Sequence, residues 1–266
     1  MRSTVAATIA LILALAATTA SAGVVISQDV VVTDNLGQQH KSEQTVMLQG
    51  NKQKEVAADR VIITDLDAGK VFVLIAANKT FGEVELPPVS RVAVLLARRD
   101  PYVDYKKSAG TDKVAGYDCQ NYAGTTNVGR IKIDVTECVA SAAAGAKEYA
   151  GFRKTLAEKL KNSPLETKGE IPDGIPVSST VTSSFIPFPI PRGYPPEQAK
   201  KIAEADAKAK PEVKSIKVRK IEVKNLPPDT FMVPADYKKL VPANPVAGKS
   251  GALKNSGAAA ASPGSH

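Results

Sequence analysis

Short apolar runs separated by tight turns dominate the first half of the 266-residue chain. The turns include Asn35-Leu36-Gly37 and Asp67-Ala68-Gly69, both typical of hairpin connections. Because parallel strands need long crossovers, these short connections predict an antiparallel meander. Its strands are expected at residues 24–34, 42–50, 59–67, 70–77 and 80–86.

Two of these predicted strands lack the alternation of a sheet with one solvated face. Residues 61–63 and 71–75 are continuously apolar, so both sheet faces are covered or one face lines an apolar cavity. Packing of a helix over the sheet and an open cavity are both compatible with this pattern. In the second case we expect the lining to comprise Val61, Ile63, Val71, Val73 and Ile75.

Two amphipathic segments are candidates for helices that cover the sheet. Residues 91–99 follow a capping Ser90 and end before Asp100-Pro101. Residues 141–162 carry an apolar stripe with helical spacing. The stripe consists of Tyr149, Phe152, Leu156 and Leu160.

The composition changes after residue 174. A strand at 174–185 leads into a segment at 186–196 with five prolines, and a charged helix follows at 197–210. We interpret 186–211 as an exposed insertion in a single domain spanning 23–241.

The strand predicted at 213–224 changes phase between Val218 and Ile221, which indicates a bulge near Arg219 and Lys220. Residues 242–266, rich in Ala, Gly, Ser and Pro, are expected to be a disordered tail.

The first 22 residues have the order of a secretory signal peptide. Arg2 precedes an apolar run that ends in Ala20-Ser21-Ala22. The run is shorter than the ~20 residues of a membrane-spanning helix, which argues against the alternative of a retained anchor. We therefore expect export, with the periplasm as the destination and secretion as the alternative.

Cys119 and Cys138 are the two cysteines of the chain, and export favours a disulfide between them over a free or reactive pair. Residues 131–135 alternate as a strand, and the turn before them contains Gly129. If Asn127 pairs with Arg130, Cys119 falls directly opposite Cys138, within reach of a disulfide.

The chain has two histidines and no CxxC motif, so neither a metal site nor a thioredoxin-like site is predicted.

The net charge of +8 is concentrated near the C-terminus. In an exported protein such a bias favours an anionic membrane surface or polysaccharide over nucleic acid, although a solvated charged surface explains it equally well. The predicted basic surface comprises Lys214, Lys217, Arg219, Lys220 and Lys224.

No residue set argues for catalysis. A Ser or Cys nucleophile needs a base, and His40 and His266 lie outside any recognisable motif. Nucleotide-binding and EF-hand motifs are missing from the sequence. We therefore expect a protein that is not an enzyme and that uses no cofactor or metal.

Four segments resemble a family of exported bacterial domains of unknown function. They are DLDAGK (65–70), KTF (79–81), GYDCQNY (116–122) and LPPDTFMVPADYK (226–238). That family is similar in fold to the periplasmic lipoprotein carriers LolA and LolB. The resemblance implies an α+β fold in which helices cover the concave face of a strongly bent antiparallel β-sheet, a half-barrel.

Two functions follow as hypotheses. In the first, the half-barrel binds a lipid, an acyl chain or another apolar ligand on its concave face. In the second, the protein is a structural or interaction module of the cell envelope that has a protein partner and no ligand.

Overall fold

The computed structural model describes residues 22–87, 103–128, 130–163, 165–166, 169–186, 193–208 and 210–240. The predicted signal peptide up to residue 21, the predicted helix at 91–99 and the predicted tail at 242–266 lie outside these residues. Among the described helices, none is long and apolar enough to cross a membrane.

The first half of the chain forms six consecutive antiparallel strands. The predicted antiparallel meander is confirmed, with one additional strand at Lys52–Val56. The six strands are β1 (Gly23–Thr33), β2 (Gln39–Gln49), β3 (Lys52–Val56), β4 (Val61–Asp65), β5 (Lys70–Ile75) and β6 (Thr80–Glu85).

The second half forms a second antiparallel meander, in which two helices connect successive strands. The elements are β7 (Lys106–Val114), β8 (Tyr117–Val128), β9 (Ile131–Ala140), helix α1 (Ala146–Lys159), β10 (Ile175–Phe185), helix α2 (Pro196–Lys208) and β11 (Glu212–Lys224). The short strand β12 (Lys238–Lys239) pairs in parallel with β6.

Strands β1 and β11 join the two meanders into one twelve-stranded sheet, with the order β12-β6-β5-β4-β3-β2-β1-β11-β10-β9-β8-β7. Their antiparallel register shifts between Ser27 and Gln28, so that Ser27 faces Lys220 and Gln28 faces Val218. Arg219 is the extra residue, and the predicted bulge is confirmed. The extra residue lets Val218 and Ile221 point to the same face of the sheet.

The sheet bends strongly around helix α1. Val71 on β5 and Val135 on β9 line the same cavity under the helix, although seven strand spacings separate β5 from β9. A flat sheet would place these strands roughly 34 Å apart. Among the described residues, edge strands β7 and β12 do not pair with each other. The predicted α+β half-barrel, with a helix over its concave face, is therefore confirmed.

Helix α1 packs on the concave face through the predicted stripe. Phe152 is buried in a cluster with Leu48 of β2 and Leu66, with Tyr149 and Leu156 packed against it. The helix begins at Ala146 because Gly145 has a left-handed backbone, with φ of +79°. It is therefore shorter than the predicted 141–162.

Candidate functional site: a cavity under helix α1

A cavity of about 180 Å³ lies between helix α1 and the concave face of the sheet. Its apolar lining comes from the helix, from both meanders and from the loop that returns to β10. This lining includes Val46, Val71, Leu86, Val103, Val135, Tyr149, Phe152, Leu156, Ala157, Leu160, Leu165, Ile171, Pro176, Val181 and Ile216.

Polar side chains form a distinct part of the same cavity wall. Gln28 on β1 stands directly opposite Gln44 on β2, and Gln53 on β3 stands directly opposite Thr64 on β4. All four line the cavity. Directly opposed residues of an antiparallel pair share one face, so these positions bring amide and hydroxyl groups to an otherwise apolar surface.

A part-buried ion pair under the helix forms another part of the wall. Arg153 of α1 donates a hydrogen bond of 3.2 Å to Glu137 of β9, and the two side chains are 19% and 10% exposed. The Tyr105 hydroxyl donates to the other Glu137 oxygen at 2.8 Å. The Arg153 guanidinium carbon also lies 5.3 Å from the centre of the Tyr105 ring, a cation–π contact.

These contacts shift the pKa values of Tyr105 and Arg153. Burial, reinforced by the negative charge of Glu137, raises the pKa of the Tyr105 phenol far above its ordinary value of 10.0. Burial opposes the charge on Arg153, but the attraction of Glu137 outweighs it and raises the pKa of Arg153. At neutral pH the Tyr105 phenol is therefore neutral and the Arg153 guanidinium is charged.

Two further charged residues, Glu55 and Lys214, line the cavity. Both are engaged in polar or electrostatic interactions. With Arg153 and Glu137, the described part of the wall has two basic and two acidic side chains, so the formal charge of that part is balanced.

The five residues predicted to line one apolar face lie on two different faces. Val71 lines the cavity, and Val73 and Ile75 share its side of β5 without being among the lining residues. Thr64 faces Val71, so the neighbouring Ile63 points to the opposite face, where it is fully buried. Val61 shares that opposite face. The prediction of one common face was wrong because a continuously apolar strand carries no phase information.

The predicted basic surface is divided in the same way. Lys214 is half-buried and lines the cavity, apart from the four exposed basic residues of the strand. Arg219 contacts Glu43 at 2.6 Å and Asp29 at 3.4 Å, and Lys220 contacts Glu222 at 2.8 Å. Acidic side chains thus neutralise part of the strand on its outer face.

The remaining two predicted basic residues, Lys217 and Lys224, are exposed. Lys217 stands opposite Asp29 of β1, and Lys224 stands opposite Gly23.

The predicted disulfide between Cys119 and Cys138 is present, with a Cα–Cα distance of 5.3 Å. Its register differs from the predicted one, because Val128 pairs with Ile131 and Asn121 stands opposite Cys138. Cys119 therefore reaches Cys138 diagonally across the hairpin. The disulfide joins β8 and β9 at the end remote from their turn.

Candidate catalytic groups are sparse in the described residues. The exposed His40 ring lies 3.4 Å from Asp34 beside the turn after β1. Across the described ranges, no three His, Cys, Asp or Glu side chains are grouped so that they could hold a metal ion.

Sequence comparison identifies neither a matching protein-family model nor a matching curated protein. Solved structures do match. A LolA superfamily protein from Nitrosomonas europaea is 7% identical with a TM-score of 0.29; the match covers 80% of this chain and 91% of that one. A DUF1329 family protein from Desulfovibrio piger is 11% identical with a TM-score of 0.34, at the same coverages.

PNGF-II also matches, at 8% identity with a TM-score of 0.38. The match covers 83% of this chain, which spans only 31% of the PNGF-II chain. At these identities the likeness concerns the fold alone. The matches thus include a LolA superfamily protein, a group whose fold the sequence segments resemble.

Proposed function

We propose that this protein is an exported, non-enzymatic protein that binds an apolar ligand, such as a lipid or an acyl chain, in the cavity under helix α1. The observation that carries the proposal is the cavity itself. Its walls are mostly aliphatic and aromatic side chains from one helix and a bent sheet, the kind of surface that favours burial of a hydrocarbon chain.

The size of the cavity restricts the bound part of the ligand. At about 180 Å³, the cavity is smaller than the roughly 300–1,000 Å³ of pockets for drug-sized molecules. A single narrow hydrocarbon chain is therefore a better match than a bulky ring system.

The Cys119–Cys138 disulfide supports the proposed export, since disulfides persist in oxidising compartments such as the periplasm. The N-terminal pattern of residues 1–22 is consistent with the same destination.

Filling the cavity with a side chain tests the proposal. Ala157 lines the cavity on helix α1, whereas the next residue, Glu158, is exposed. We expect Ala157→Trp to weaken binding of a pyrene-labelled acyl probe about tenfold or more, because the indole occupies the space of the chain. Glu158→Trp introduces the same side chain outside the cavity and should bind the probe like the parent protein.

Probe fluorescence measures the affinity, and thermal unfolding shows that both variants are folded. Equal probe affinity in the parent and in both variants would place the binding elsewhere. A parent protein that binds no acyl probe would favour the alternative, a structural or interaction module without a ligand.

A further inference from the structure

The amide side chains of Gln28 and Gln44 are buried polar groups in the wall of the cavity. Each residue is only 8% exposed, and both line the cavity. Because they stand directly opposite each other on β1 and β2, their Cβ atoms are about 4.5–5.5 Å apart. The two amides therefore form one polar patch.

Neither amide has a hydrogen-bonding partner in the part of the chain that the structure describes. Buried polar side chains almost always have such a partner, and an unpaired one opposes folding. Since the described residues supply no partner for Gln28 or Gln44, we look for the partner in the space that they face. That space is the cavity.

The charges around the cavity indicate the chemistry of this partner. Two acidic and two basic described residues line the same cavity: Glu55, Glu137, Arg153 and Lys214. Arg153 is paired with Glu137, and Lys214 is also engaged in an interaction. An anionic head group would therefore lie near two carboxylates, and both basic side chains of the described lining are already engaged. An uncharged carbonyl or hydroxyl group avoids this repulsion. The Gln28 and Gln44 amides supply both donors and acceptors for such a group.

We infer that the Gln28–Gln44 pair is a subsite for the uncharged ester, amide or hydroxyl group of an otherwise apolar ligand. This inference rests on the proposed function and specifies its ligand class: a neutral amphiphile rather than a free acid or a pure hydrocarbon. The apolar chain occupies the space under α1, and its neutral polar group bonds to the two amides.

The test compares three pyrene-labelled dodecyl probes that differ only at one end, in a methyl ester, a carboxylate or a methyl group. At about pH 7, where a carboxylic acid is ionised, we expect the ester to bind the full-length protein about fivefold more tightly than either other probe. In Gln28→Met/Gln44→Met, the affinity for the ester should fall to that for the hydrocarbon. Gln39→Met, at an exposed position of β2, is the matched control and should keep the preference.

Thermal unfolding of the same variants supplies an independent result. Because the two amides have no partner among the described residues, replacing both by apolar side chains of similar shape should leave the melting temperature of the ligand-free protein unchanged or raise it. A lower melting temperature in the double variant than in Gln39→Met would show that the amides serve the fold, and it would overturn the inference.

The binding results separate this inference from the proposed function. If no probe binds, the proposed function and the inference both fail. If all three probes bind equally to the parent and to the double variant, apolar binding stands and the subsite is overturned, with water as the partner of the amides. Tightest binding of the carboxylate would also overturn the subsite.

Discussion

Glu137 provides the counter-charge for Arg153 in the wall of the cavity. It accepts hydrogen bonds from both Arg153 and Tyr105. We expect Glu137→Gln to lower the free energy of unfolding by about 3 kcal/mol, because it leaves the Arg153 charge buried without its counter-charge. Urea unfolding at neutral pH measures the change.

Asp134 provides the control on the same strand. Its contact with Lys132 is of similar length, 2.9 Å, but those side chains are 38% and 50% exposed. Asp134→Asn should therefore cost less than about 1 kcal/mol. Equal costs for the two substitutions would show that the Glu137–Arg153 pair is no more important than a surface ion pair.

Tyr105 should give the protein a distinct loss of stability at alkaline pH. Its pKa is raised in the folded state, so its stabilising contribution is complete below about pH 10 and is lost as the pH rises towards the folded-state value. We expect the parent protein to lose more stability than Tyr105→Phe between about pH 9 and pH 11. Urea midpoints across this range measure the difference.

Tyr194→Phe, which removes a phenol that is 41% exposed, is the control and should follow the parent protein. If Tyr105→Phe loses stability as steeply as the parent, the buried phenol does not cause the alkaline loss.

Single residues of the site were only partly predictable from the sequence. Residues 61–63 are all apolar, so the sequence does not indicate which of them points to which face of the sheet. The register, and with it the opposite directions of Ile63 and Thr64, depends on the turn that links β4 to β5. The interruption of the apolar β1 sequence by Gln28 was visible in the sequence. Its inward direction became evident only from its pairing with Gln44.

At the scale of the elements, the close approach of helix α1 to strand β1 keeps the cavity covered. A Cβ atom on Gly145 would overlap the side chain of Val24, and the backbone there is left-handed. We expect Gly145→Ala to destabilise the protein by about 2 kcal/mol or more, measured by urea unfolding.

Gly151 in the same helix is exposed, and a Cβ atom there would contact nothing. Gly151→Ala should stabilise the protein by about 0.5–1 kcal/mol through helix propensity. Stabilisation by both substitutions would contradict the tight docking of α1 against β1.

The strands that the sequence pattern did not predict are the polar ones. Strand β3 has the sequence KQKEV and the edge strand β7 has the sequence KKSAGTDKV. Neither has the apolar alternation from which a strand is recognised. Strand β3 forms by pairing between β2 and β4, so its tertiary neighbours rather than its own composition determine its structure.

At the scale of the whole molecule, the antiparallel pairing of β1 with β11 joins two meanders into a single bent sheet. The apolar alternation predicted most strands of both meanders, and the family resemblance predicted their bent arrangement. The long-range pairing that places β5 and β9 around one cavity has no local sequence signal. For this reason the fold was more predictable than the composition of its cavity.

Native mass spectrometry after incubation with a lipid extract of the producing cells tests the central claim most directly. We predict that the parent protein and Glu158→Trp each carry an additional non-covalent mass that organic extraction removes. Ala157→Trp, with its cavity filled, should show the polypeptide mass alone. The account would be contradicted if the parent protein gained no mass, or if Ala157→Trp gained the same mass as the parent.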